Sequence, residues 1–62
     1  MEQERIRQRL INFIASSGIK QNFVSFKTGI PTPVISRFKN GKTDMMDSSL
    51  EKMKSFLTEY GY

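Results

Sequence analysis

The sequence predicts a single small all-α domain of four to five helices. Two observations carry that class. Apolar residues recur at three- and four-residue spacing in successive stretches, and a glycine closes each stretch. No stretch alternates apolar and polar residues as a half-buried strand would. The 62 residues include no cysteine, so no disulfide or thiolate metal site reinforces the core. A chain this short buries only about 60% of the surface its unfolded form exposes, so the core is small.

The first helix spans residues 3 to 16. Ile6, Leu10, Phe13 and Ile14 share one face, while Arg5, Arg9 and Asn12 fall off it. Glu2 and Glu4 stand where the positive end of the helix dipole favours acids. Ser16-Ser17-Gly18 ends it, with Gly18 as the left-handed residue after the cap. A second helix runs from about residue 21 to residue 28 and stops at Gly29.

The third helix is the most constrained by sequence. Pro31 lacks a backbone donor, and Pro33 biases Thr32 away from helical angles. Thr32 is therefore the expected hydroxyl cap, with Pro33 in the first turn of a helix 33–39 that ends near Asn40-Gly41. Between Gly29 and Thr32 there is room only for a tight turn, which brings the second and third helices together at a steep angle. At 100° per residue, Ile35 and Phe38 lie together with Val34 at their margin. Pro33, Ser36, Arg37 and Asn40 lie opposite, with Thr32 at the edge. One face anchors the helix, and the other offers small polar groups, a guanidinium and an amide to solvent.

A last helix begins between Asp44 and Asp47. Either aspartate is placed to cap it, and Ser48 with Glu51 also forms a capping box. Leu50, Met53, Phe56 and Leu57 make its apolar face. Lys52, Lys54, Ser55 and Glu59 face water, and Gly61 closes it.

Charge narrows the function classes. The net charge is +4, but its distribution says more than its size. Between Arg5 and Lys42 stand eight basic residues and no acid; all six acids lie outside that window. Such segregation suits a polyanionic partner and places nucleic acid ahead of a merely solvated surface. There is no histidine, which removes the usual general base and the commonest metal ligand. No convergent carboxylate pair replaces it, so neither an enzyme, a metal site, a cofactor nor a small-molecule substrate is expected. No apolar run approaches the ~20 residues that span a bilayer. The basic residues are also scattered over short elements instead of striping one amphipathic helix, which argues against a membrane partner. With no signal-peptide pattern at the start, the expected location is cytoplasmic, in a bacterial or phage-infected cell.

From Gly18 onward the chain resembles the helix-turn-helix repressors of the Cro and lambda-repressor type. Gly18-Ile19 and Gln21 match the opening of that family's second helix. Val24 falls at its buried aliphatic position and Ser25 at its small-residue position. Gly29-Ile30 matches the turn glycine and the aliphatic after it. Ile35 and Phe38 match the two core positions of the recognition helix, and Asn40-Gly41 its end. Leu50, Met53, Phe56 and Leu57 fall at the spacing of the following helix. The match covers residues 18 to 57, with the helix-turn-helix unit at about 21–40 of a single 1–62 domain. The sequence departs from the pattern at three places. Thr28 stands where an aliphatic residue is usual, Lys39 where many members have Glu, and Pro31 and Pro33 replace a Ser-rich helix start.

The resemblance implies a sequence-specific double-stranded-DNA-binding regulator, a Cro-like repressor of a phage or mobile-element switch, with the third helix in the major groove. Arg37 is the residue expected to read bases, because its fork can donate two hydrogen bonds to guanine. Thr32 and Ser36 are placed to donate to a base edge or touch a thymine methyl, and Pro33 to add an apolar contact. Gln21, Lys39, Asn40, Lys42 and Lys20 are the expected phosphate contacts, with Lys27 and the arginines of the first helix as outer ones. One such unit covers little DNA, so a homodimer with recognition helices about 34 Å apart is the expected DNA-bound form.

Pattern and resemblance conflict at one point. Periodicity alone buries Ile19, Phe23, Phe26 and Ile30 together, whereas the family register buries Val24 and turns Phe23 and Phe26 outward. The family register is adopted here. Phe23 and Phe26 then either form an exposed contact patch or are covered by the last helix with Tyr60 and Tyr62. An exposed patch would support an alternative function: a protein-interaction module that binds a repressor or polymerase subunit through Phe23 and Phe26, with weak DNA affinity. For the homodimer, the candidate surfaces are the end of the last helix with Tyr60 and Tyr62, or the Phe23/Phe26 patch.

Overall fold

A computed structural model describes residues 2 to 62. Four helices follow one another: α1 (Glu2–Ser17), α2 (Gln21–Thr28), α3 (Thr32–Lys39) and α4 (Asp47–Glu59). No strand occurs among the described residues. No helix among them is long and apolar enough to cross a membrane.

The two longer helices, α1 and α4, pack against each other. The short pair, α2 and α3, also packs together, with α3 seated on α1 and α2 on α4. One continuous core results. Ile6, Leu10 and Phe13 enter it from α1, Val24 from α2, Ile35 and Phe38 from α3, and Leu50, Met53, Phe56 and Leu57 from α4. Burying each such side chain is worth about 1.5–3 kcal/mol, so these residues dominate the driving force for folding. The expected faces of α1, α3 and α4 are all found, except that Ile14 is only partly buried.

In α2 the helix turns Val24 fully inward and leaves Phe26 81% exposed. Thr28 occupies a buried position beside Val24. Its hydroxyl donates to the Val24 carbonyl at 2.7 Å and accepts the Ile30 amide at 3.3 Å, so the polar group is satisfied twice. Gly29 follows in the left-handed region at φ +74°, and its amide returns to the Ser25 carbonyl. Three residues, Gly29 to Pro31, separate α2 from α3.

The helix starts differ from expectation. α3 begins at Thr32, with Pro31 as its cap residue and no side-chain capping bond. The Pro31 carbonyl accepts both the Val34 and Ile35 amides, so the first turn closes without the Thr32 hydroxyl. Thr32 is thus the first helical residue and Pro33 the second, where a missing amide costs little. α4 begins at Asp47 after the extended Met46, and neither an aspartate nor Ser48 caps it through a side chain. Asp47 acts only as a first-turn acid.

Met45, which no periodicity marked, is buried in the linker before α4. The Gln3 side-chain amide fixes it there. Gln3 Nε2 donates to the Met45 carbonyl at 2.9 Å, and the Met45 amide donates to Gln3 Oε1 at 3.1 Å.

Candidate nucleic-acid interface

The geometry of α3 follows from its two anchors. Ile35 and Phe38 are both fully buried, three residues apart and therefore on one side of a helix. Burying them turns Pro33, Arg37 and Asn40 to solvent, with Thr32, Ser36 and Lys39 half-buried along the borders. The exposed side carries no acid. The helix closes on Asn40 and Gly41, whose φ is +76°. The Gly41 amide donates to the Phe38 carbonyl and the Lys42 amide to the Arg37 carbonyl at 2.9 Å, a paired closure that turns the chain sharply and leaves Lys42 exposed.

Next to this edge lies the start of α2. Lys20 is exposed and extended before the first turn, and Gln21 is half-buried as its first residue. The Thr32 hydroxyl donates to Asn22 Oδ1 at 3.4 Å, linking the N-terminal ends of α2 and α3. A groove of about 430 Å³ between α3 and the linker is lined by Val34 and Arg37 on one side and Thr43, Asp44, Met45 and Met46 on the other.

The basic residues divide into two sets. Among the described residues the ion pairs are Arg7 with Glu4, Arg7 with Asp44, and Lys54 with Glu2. Lys20, Lys27, Arg37, Lys39 and Lys42 make none of them. In contrast, α1's arginines differ among themselves in exposure and bonding. Arg7 is 9% exposed and wholly committed inside the fold. Arg9 donates to the Tyr62 carbonyl at 2.7 Å and to the Thr58 hydroxyl at 2.9 Å. Only Arg5 of the three is exposed with no side-chain hydrogen bond of this kind.

The guanidinium of Arg7 meets four acceptors, from Glu4, Phe38, Thr43 and Asp44. Burial alone would lower its pKa. Hydrogen bonds to Asp44 and Glu4, and their charges, outweigh that and hold it above the ordinary arginine value.

The aromatic residues also separate. Phe23, 36% exposed, leans on Phe56 and Tyr60 at 6.4 Å between ring centres, and the Lys27 ammonium lies 5.7 Å from its ring. Tyr60 and Tyr62 each set an edge against Phe13 at 5.5 and 5.2 Å. These three rings are a satellite of the core. Phe26 alone stands bare.

Three residues that shape this region were not singled out from sequence: Asn22, Met45 and Arg7 as an internal clamp. Each acts through a partner between ten and forty-two positions away, a separation at which periodicity carries no signal. No family model, curated protein or solved structure matches this chain.

Proposed function

We propose that this chain is a sequence-specific double-stranded-DNA-binding regulator whose α2 and α3 act as a helix-turn-helix, with α3 lying in the major groove. The observation that carries the reading is on α3. Two anchors one turn apart, Ile35 and Phe38, are fully buried, and the opposite side presents Pro33, Arg37 and Asn40 from a helix that holds no acid. A short helix held by a dry face and offering an unpaired guanidinium has the parts needed to read a base edge.

In this reading Arg37 donates its fork to a guanine, and Thr32 and Ser36 approach neighbouring bases. Gln21, Lys20, Lys39, Asn40 and Lys42 hold phosphates and set the register. Because Arg7 and Arg9 are engaged within the fold, the cations available to DNA are Lys20, Lys27, Arg37, Lys39 and Lys42, with Arg5 as an outer contact. A log–log salt slope of about −4 is expected, shallower than if Arg7 and Arg9 joined. Two copies on a two-fold site supply the DNA coverage that one unit lacks.

Selection of bound sequences from a random duplex pool tests the reading. It should yield a preferred site, and Arg37→Ala should lose preference at one position while retaining most random-duplex affinity. Absence of any enriched sequence, or an equal loss on random duplex, would refute base readout by Arg37.

A second reading has its own observation: Phe26 is 81% exposed on a chain of 62 residues. A protein-interaction module using Phe26, with Phe23 and the tyrosines at its margin, would bind a partner protein and only weakly bind DNA. Phe26→Ser discriminates the two. It leaves duplex binding intact in the first reading and abolishes partner capture in the second.

A further inference from the structure

Arg7 lies in α1, yet its donors end on α3 and on the linker that follows it. Nε donates to the Phe38 carbonyl at 2.6 Å; Nη2 donates to the Thr43 carbonyl at 3.1 Å and to Asp44 Oδ1 at 3.0 Å; Nη1 donates to Glu4. The guanidinium also lies 4.7 Å from the centre of the Phe38 ring. Every nitrogen of the fork is therefore occupied, and a cation stands at the C-terminal end of α3, where the helix dipole favours one.

We infer that Arg7 is a positioning residue: it locks the C-terminal end of α3 and the Thr43–Asp44 segment to α1, and so sets the angle at which Arg37, Lys39 and Lys42 are presented. The inference rests on the DNA reading above for its consequence, though not for its geometry. Phe38 lies between Arg37 and Lys39, and the Lys42 amide is bonded to the Arg37 carbonyl. One fork thus holds both sides of the turn that ends the reading edge. At the other end, Pro31 and the Thr32–Asn22 contact set the start of α3.

The lever is short but sufficient. Eight helical residues span about 12 Å, so a tilt of roughly 20° about the N-terminal end displaces the far end by about 4 Å. A bidentate contact to guanine tolerates only a few tenths of an ångström between about 2.7 and 3.2 Å. The buried apolar anchors alone do not forbid such a tilt, because hydrophobic contact is non-directional. Directional bonds from a planar fork do. Lysine's three donors radiate from one nitrogen, so it cannot reach the spread of backbone and carboxylate acceptors that the three nitrogens of the fork meet.

The test compares wild type with Arg7→Met, Arg7→Lys and Asp44→Ala. Amide hydrogen exchange is followed at Gly41 and Lys42, with Met53 and Leu57 in α4 as reporters of global opening. A positioning role predicts about tenfold extra loss of protection at Gly41 and Lys42 in Arg7→Met, beyond any loss at Met53 and Leu57. Asp44→Ala, which leaves every apolar anchor in place, should show the same local pattern at about threefold. It decides the matter if Arg7→Met does not fold. Equal loss at all four amides, or none at Gly41 and Lys42, overturns the inference. Arg7→Lys should behave like Arg7→Met; wild-type protection in Arg7→Lys would show that charge alone suffices and would also overturn it.

The DNA arm measures the ratio of affinities for a selected site and for random duplex. Arg7→Met and Asp44→Ala should lower that ratio about tenfold and threefold while random-duplex affinity, per folded molecule, changes little. An unchanged ratio refutes the consequence for reading. If wild type binds no duplex while the exchange pattern holds, the clamp stands and the DNA reading falls.

Discussion

The side-chain amide of Gln3 pairs with the backbone of Met45 in both directions, at 2.9 and 3.1 Å, across forty-two positions of sequence. A glutamine in the first turn of α1 thus does for the α3–α4 linker what a neighbouring strand would do. It satisfies an amide and a carbonyl that burial of the Met45 side chain would otherwise leave poorly hydrated.

Removing that pairing should be measurable. Gln3→Ala is expected to lower the unfolding free energy by about 1–2 kcal/mol, since two partly buried backbone groups lose their partner. Urea denaturation should show a lower midpoint with an unchanged slope. A loss below a few tenths would mean that water replaces the amide without cost.

Gly29 offers a purely backbone test. It sits at φ +74°, and a Cβ built there meets nothing within 4 Å. Gly29→Ala should therefore cost about 1–2 kcal/mol from left-handed strain alone. Gly29→Asn should cost less, because asparagine tolerates this region better. Equal thermal midpoints for the two variants would contradict the assignment of the cost to strain.

Thr28 bears on why a hydroxyl stands among apolar neighbours. Replacement by the near-isosteric valine removes the acceptor of the Ile30 amide. Thr28→Val is thus expected to destabilise by about 1 kcal/mol, although a buried position ordinarily gains from an apolar side chain. Stabilisation on chemical denaturation would show that the Ile30 bond contributes nothing net.

Val24 and Phe26 differ by two positions and should differ sharply in consequence. Val24→Ala opens a cavity in the core and should cost about 1–3 kcal/mol. Phe26→Ser, at a bare ring, should stay within about 0.5 kcal/mol of wild type. Calorimetry on both separates the two registers proposed for α2. A large loss at Phe26 would mean that the ring is covered in solution.

By itself, the amino-acid order determined the helical elements, the glycines that close them, and the inward faces of α1, α3 and α4, because 3.6-residue periodicity and turn chemistry are local properties. It also determined the burial of Ile35 and Phe38 opposite Arg37 and Asn40. Periodicity alone did not determine the inward face of α2, where Phe23, Val24 and Phe26 compete for one short side; the fold buries Val24, as the adopted register expects. Nor did the amino-acid order distinguish the arginines of α1 from the other cations. Only tertiary structure, by bringing Phe38, Thr43 and Asp44 to Arg7, decided that this charge is spent inside the fold while that of Arg37 stays open to solvent. The physical reason is range: a fork's acceptors are chosen by three-dimensional proximity, and nothing in the spacing along the chain encodes which distant carbonyls will be near.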